Sequence, residues 1–191
     1  MLPDNNIDGS KKAILLVEGK SDIAFVRHLC NKLKEVNVIP YTLEEKGFAL
    51  LSTGGSGNLK SWINLKIVEQ FNIPWCLLQD SDIGSNEENK KKKQELESKG
   101  IKMYLTRKRE PENYIHTDCL NFDVNFDDYS DAKVLINQAD TNNVNRNKIL
   151  ETYFPKMSFE NIREVEEYED SYGNIRYEFT EMINDFLSIV D

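Results

Sequence analysis

Three carboxylates stand where short apolar runs break off. Ala13 to Val17 reads AILLV and is followed at once by Glu18 and Gly19; a second run, Ile73 to Leu78, ends in Gln79 and then Asp80-Ser81-Asp82. Continuous rather than alternating apolar runs are the mark of strands covered on both faces, as in parallel sheets. Both sets of acids therefore belong at strand carboxyl ends, where ligands of open α/β sheets gather. Carboxylates brought together repel one another unless protons or cations neutralise them. Oxygen donors with no histidine or cysteine beside them select Mg²⁺ or Mn²⁺ over zinc. Alternate side chains of an extended chain share a side, so Asp80 and Asp82 reach one site with Ser81 turned away. Two cations about 4 Å apart would stabilise the attacking and leaving oxygens of a phosphoryl transfer. An Asp-x-Asp after a strand is also an ordinary turn or helix cap; its pairing with Glu18 on another strand end is what raises the metal reading above that one.

The elements that must position these acids follow from periodicity. After Ser21, Ile23, Val26, Leu29, Cys30 and Leu33 fall at helical spacing. Extended segments are expected at Val38 to Leu43 and Phe48 to Ser52, then a glycine-rich turn, TGGSG, and a helix carrying Leu59, Trp62, Ile63 and Ile67. Residues 86–99, almost wholly polar, read as a solvated helix closed by Gly100, and Ile101 to Leu105 as a further strand. The alternation predicts an α/β fold, a mostly parallel sheet with helices on both faces. Beyond His116 the pattern weakens to a helix at Asp131 to Ala139, a hairpin about Gly173-Asn174, and an amphipathic C-terminal helix bearing Phe179, Met182, Ile183, Phe186 and Leu187. The expected organisation is a polar leader at 1–11, an α/β core at 12–115 and an α-rich C-terminal extension at 116–191 packed on that core.

Composition narrows the function. The 191 residues carry a net charge of -9, so no general surface attraction to nucleic acid is available, and a phosphodiester substrate would have to be held by local basic patches or by bound cations. Three widely spaced cysteines, Cys30, Cys76 and Cys119, argue for reduced thiols rather than a disulfide framework. The start of the chain lacks a signal-peptide pattern and no apolar run is long enough to span a bilayer, so the expectation is a soluble cytoplasmic protein with no membrane partner.

LLVEGKSD followed by LLQDSD resembles the signature of the Toprim domain, shared by topoisomerases, bacterial primases, small ribosomal-RNA maturases and the overcoming-lysogenization-defect (OLD) nucleases. The resemblance covers roughly residues 12–115. It implies a general acid/base or metal-ligand role for Glu18 and metal ligation by Asp80 and Asp82, with Asp22 at the second acidic position of the motif. Helix capping explains Asp22 equally well. KREPENYI, with Arg109, Glu110, Glu112, Asn113 and Tyr114, is similar to the third strand-end segment of OLD-type proteins. An extra acid there completes a two-metal site, a role that passes to Glu112, with Glu110 the second candidate. Primase-like and maturase-like members follow the aspartate pair with a proline- or glycine-bearing turn and Ile-Arg, whereas this chain has IGSNEEN.

Lys20, Arg107 and Arg109 are the expected substrate-binding cations; solvation or ion pairing would also explain them. GGSGNLKS fails as a phosphate-binding P-loop because Leu59, not glycine, precedes Lys60, although the turn could still form an anion nest. His28 reads as a helix-surface residue, Trp62 and Trp75 as core aromatics, and Lys90 to Lys93 as a solvated helix face. The expected activity is a Mg²⁺- or Mn²⁺-dependent endonuclease acting on DNA or RNA. The family resemblance adds an antiphage effector role with a separate ATPase partner. A non-catalytic metal-binding interaction module and a primase-like nucleotidyl transferase are the alternatives. The region after His116 is open to use as a lid, a partner surface or a homodimer contact.

Overall fold

The computed structural model describes residues 10–83 and 88–190. Four strands, β1 (Ala13–Val17), β2 (Phe48–Ser52), β3 (Trp75–Gln79) and β4 (Lys102–Leu105), form one sheet in the order β2-β1-β3-β4 with every pairing parallel. The expected α/β architecture is what is found. From β1 the chain first goes to β2 on one side and later to β3 on the other. The topological switch point thus lies between the carboxyl ends of β1 and β3, the place where open α/β sheets bind ligands.

Burial explains the continuous apolar runs. Every residue of β1 is buried, with Ala13, Leu15 and Val17 facing one apolar cluster and Ile14 and Leu16 the other. The second cluster is covered by α2 (Ser56–Asn64) and α3 (Glu88–Ser98), through Leu59 and Leu96, with Trp62 packed at its margin and Trp75 of β3 beside it. The first is covered by α1 (Lys20–Glu35) and by much of the chain beyond His116: α4 (Ala132–Ala139), α5 (Ile149–Tyr153), α6 (Phe159–Glu166) and α7 (Glu178–Leu187). All five predicted residues of the C-terminal helix are buried. The hairpin forms too, with β5 (Glu167–Glu169) antiparallel to β6 (Ile175–Tyr177) and Gly173 at φ 81°, a left-handed turn that suits glycine.

Three local expectations need correction. The segment Val38 to Leu43 is not extended, because α1 ends in a Schellman motif. Asn37 adopts φ 60°, its N–H donates to the Lys34 carbonyl (2.9 Å) and the Val38 N–H to the Leu33 carbonyl (2.8 Å), folding the chain back so that Ile39 and Leu43 are buried. α2 stops at Asn64, leaving Ile67 outside it. The polar helix begins at Glu88 among the described residues; Asn86, Glu87 and leader residues 1–9 lie outside them. His28 is half-buried rather than on the surface, its Nε2 3.0 Å from the Met157 carbonyl and its ring edge-on to Phe154. Cys30 and Cys76 are buried thiols and Cys119 is partly so. Among the described residues no helix is long and apolar enough to cross a membrane.

Phe25 joins α1 to the C-terminal segment. Its ring lies 4.5 Å from that of Phe154, 5.3 Å from Phe179 and 6.5 Å from Tyr114. Phe25→Ala should cost about 3–5 kcal/mol, the loss expected for an aromatic truncation in a packed core. Urea denaturation of the variant checks this, and a loss below about 1 kcal/mol would mean that the two segments do not share a core.

Candidate metal centre at the strand ends

The strand ends are fastened to one another by backbone and short side chains. Leu16 of β1 is level with Leu77 of β3, which sets Glu18, two residues on, beside Gln79. The glycine-rich turn after β2 closes over the other side: the N–H groups of Gly54 and Gly55 donate to the Glu18 carbonyl (2.9 and 2.8 Å). Gly54 and Gly55 have φ of 83° and 122°, so glycine is required there. Those two amides are thereby used within the protein, and the turn acts as a clamp on Glu18 instead of an anion nest.

Past β3 the chain leaves the extended path. Asp82 takes φ 49°, a left-handed conformation that Asp tolerates better than most residues. Its N–H donates to the Arg109 carbonyl (3.1 Å), while Ser81 donates from its N–H to Thr106 Oγ1 (3.0 Å) and from its hydroxyl to the Lys108 carbonyl (2.8 Å). These bonds stitch the end of β3 to the segment leaving β4. Strand alternation thus places Ser81 as expected, but the Asp82 carboxylate is aimed by a turn.

The acids fall into two connected groups. Glu18 faces Asp82, the Gln79 amide and Lys92 of α3. Its carboxyl is pushed up by burial, then by the charges of Asp22 and Asp82, with Lys92 and Gln79 pulling the other way. Asn89 of α3, itself buried, donates to the Asp80 carbonyl (3.0 Å) and to Asp82 Oδ2 (3.3 Å) and accepts from Gln79 Nε2 (3.1 Å). The second group is Asp22, Asp80 and Glu112. Asp22, in the first turn of α1, accepts the Gly19 N–H at 2.8 Å, so the capping reading of this residue is realised. Its carboxyl is nonetheless raised to about 6, by burial first and also by the charge of Glu112. Asp80 links the groups. Burial raises its carboxyl well above the usual range, and the charges of Asp22, Glu18, Glu112 and Asp82 raise it further.

Glu112 sits in a 3-10 turn, Pro111–Tyr114, and is only 3% exposed. Lys133 of α4 reaches it with Nζ at 2.9 Å from Oε1. Glu110 instead accepts the Lys133 backbone N–H (2.9 Å), and its carboxyl is raised by burial and by the neighbouring Glu112 charge. Glu178 of α7 holds the turn from behind, accepting from the Arg107 N–H (2.6 Å) and the Tyr114 hydroxyl (2.7 Å).

The expected substrate cations behave differently from the acids. Lys20 is exposed at the start of α1. Arg107 lies over the Tyr168 ring and 3.8 Å from both Asp128 and Glu178; Arg109 lies 3.8 Å from Asp131 and donates to the Tyr129 carbonyl. Both arginines are engaged in holding the fold around the site. The cations that face the acids are Lys92 and Lys133, and with Gln79, Asn89 and Glu178 they escaped the sequence reading. Lys92 lies in the lysine run read as a solvated face, and no local pattern separates it from its neighbours.

The donor set suits a hard divalent cation, since it is all oxygen and the carboxyls of Glu18, Asp22 and Asp80 are raised by burial and by neighbouring acids. Among the described residues, no three His, Cys, Asp or Glu side chains already stand in a metal-holding arrangement. Hydrogen bonds to Asp22 and Asp82 and the Lys133 ion pair to Glu112 stabilise these carboxylates with protein donors.

Comparison with known proteins locates this arrangement. Residues 11–82 match the family described as overcoming lysogenization defect protein-like, TOPRIM domain. That span includes Glu18, Asp22, Asp80 and Asp82 and stops short of Glu112. No curated protein matches the chain. Among solved structures, the C-terminal region of the Xanthomonas campestris pv. campestris OLD protein phased with iodine is similar over 95% of this chain and 98% of that one, at 16% identity and a TM-score of 0.51. The same region phased with mercury aligns over 96% of each chain at 16% identity and a TM-score of 0.43. The family match implies nuclease- or primase-type chemistry with divalent metal, and the structural likeness shows the shared fold. Residues 11–82 are thus similar to an OLD-like Toprim domain, and Glu18, Asp80 and Asp82 are the acids at the strand ends of that segment.

Proposed function

We propose that this chain is a divalent-metal-dependent nuclease that hydrolyses phosphodiester bonds in DNA or RNA. The observation that carries the reading is the convergence of Glu18, Asp22, Asp80, Asp82 and Glu112 at the switch point of the sheet, where burial and neighbouring acids raise the carboxyls of Glu18, Asp22 and Asp80. Clustered, desolvated acids are costly to a fold and are expected where they serve a charge that arrives with a ligand. Glu18, Asp80 and Asp82 would hold one Mg²⁺ or Mn²⁺ ion, and Asp22, Asp80 and Glu112 a second. Such ions supply charge neutralisation at the phosphate and acidify water.

The protein's own groups have separable roles in this reading. Glu18, with its raised carboxyl, suits the holding and passing of a proton. Lys133 partly neutralises Glu112 and is itself raised: burial alone would lower it, but Glu112, Glu110 and Asp80 outweigh that effect. The Lys133–Glu112 pair also favours a second reading, a non-catalytic cation-binding module whose acids are balanced within the protein. Turnover separates the two. The role of antiphage effector working with an ATPase partner extends the first reading. It rests on the family match of residues 11–82. Co-purification of the protein with an ATPase tests it.

Glu18→Ala should lower cleavage of plasmid, single-stranded DNA or RNA in Mn²⁺ by at least about a hundredfold while leaving the circular-dichroism spectrum unchanged. A folded Glu18→Ala protein that cuts at the wild-type rate would end the assignment, and EDTA should abolish cleavage by the wild type.

A second test needs no activity. A carboxyl raised in the folded state favours folding when protonated, so this contribution is present below the unfolded value near 4 and is lost as pH rises through the folded value, about 6 for Asp22. Divalent cations compete with those protons. Mg²⁺ or Mn²⁺ should therefore raise the melting temperature more at about pH 7.5 than at about pH 5, and equal shifts at both would argue against the carboxylate site.

A further inference from the structure

We infer that the cleft between α2 and α3 binds the phosphates of a polynucleotide strand through Lys60, Lys91 and Lys92. The inference deepens the nuclease reading and rests on it for the identity of the ligand. The cleft has a volume of about 520 Å³ and opens beside the carboxylates, with Gln79 and Asp82 at its inner end. Ligand sites commonly fall in this size range. Gly57, Lys60 and Asn64 share one face of α2 at helical spacing and form one wall; Lys91 and Lys92 of α3 form the other.

Lys92 is held in place. Its Nζ donates to Gln79 Oε1 at 2.7 Å, and through Gln79 and Asn89 it is joined by hydrogen bonds to Asp82. Burial lowers its pKa and the Lys60 charge lowers it further, while Glu18 opposes both. Lys60 of α2 and Lys92 of α3 both line the cleft. Among the described residues neither Lys60 nor Lys91 has an ion-pair partner. Three acids share the lining with the three lysines: Glu95 is paired with Lys99 at 2.7 Å, Asp82 belongs to the carboxylate group and accepts from Asn89, and Glu88 stands in the first turn of α3. The ammonium groups left to a ligand are those of Lys60 and Lys91 beside Lys92. An anion lying between the lysines relieves their repulsion, and a strand whose reacting phosphate meets the carboxylates lays its adjacent phosphates along this cleft. Arg107 and Arg109 lie elsewhere and are already paired.

The test is binding of a fluorescein-labelled oligonucleotide, single-stranded and duplex, followed by anisotropy in EDTA and in Ca²⁺ over a salt series. The variants are Lys60→Ala/Lys91→Ala and, as control, Lys34→Ala/Lys156→Ala, with melting temperatures compared. Loss of two phosphate contacts should weaken single-strand binding at least about tenfold and reduce the slope of log K against log salt by about 1.4, the control leaving both unchanged. Equal binding and slope for the two double variants, or no binding by the wild type in either buffer, overturns the inference. Lys92→Gln is a third arm that keeps the Gln79 hydrogen bond possible, and it should lower affinity without lowering the melting temperature. Because binding is read without turnover, a protein that binds through the cleft but never cleaves refutes the nuclease reading alone. One that cleaves with unchanged KM after Lys60→Ala/Lys91→Ala refutes the cleft alone.

Discussion

Everything at the strand ends follows from one constraint: five carboxylates are gathered where a parallel sheet changes direction, and burial and neighbouring acids raise the carboxyls of Glu18, Asp22 and Asp80. Asp80 feels all four neighbours. In an isolated peptide such acids would separate. Here they cannot, because Glu18 and Asp80 directly follow strands whose buried apolar residues are divided between two apolar clusters. Slipping β1 by one residue would exchange its two faces and drive Leu15 and Leu16 into the opposite, differently shaped clusters, so the hydrophobic core sets the register that the charges must accept.

The C-terminal segment completes this arrangement instead of merely covering the sheet. Glu112 lies outside the span matched by the Toprim family, yet it is brought to Asp22 and Asp80 and met there by Lys133 of α4. Glu178 of α7 anchors the same turn by accepting from Arg107 and Tyr114. Glu166, with 0% exposure, plays a comparable part nearby: it accepts the N–H groups of Phe179 and Thr180 and pairs with Arg163 at 3.0 Å, fixing the start of α7. Buried acids in this protein therefore divide in two. Glu166 and Glu178 are satisfied by fixed protein donors, which is the usual condition for a buried charge. The strand-end acids differ in that they stand beside one another, and neighbouring acids raise the carboxyls of Glu18, Asp22 and Asp80.

Charge balance is equally local. A chain of net charge -9 repels polyanions at long range, yet its lysines are distributed so that the α2–α3 cleft carries cations next to the acids. The arginines, whose forked guanidinium groups suit carboxylates, are spent on Asp128, Asp131 and Glu178. Lysine, a compact point charge on a flexible stem, remains facing the cleft.

The strands, their acids and the main helices were legible in the sequence because each depends on short-range pattern: an unbroken apolar run makes a doubly covered strand, and a carboxylate at its end is delivered to the sheet edge. Glu18 and Asp80 needed nothing more to be placed at strand ends, whereas the Asp82 carboxylate is aimed by a left-handed turn; the spacing of Phe179, Met182, Ile183, Phe186 and Leu187 already described α7. Local pattern misled at Val38 to Leu43, where the left-handed Asn37 and two backbone hydrogen bonds outweigh an extended tendency. It was silent on Lys92, Asn89, Lys133 and Glu178, which lie within polar stretches or far along the chain and acquire their partners only when α3, α4 and α7 dock. Which acids share a pocket, which cations answer them and which arginines are already paired are questions of distance between residues remote in sequence, and only tertiary packing supplies those distances.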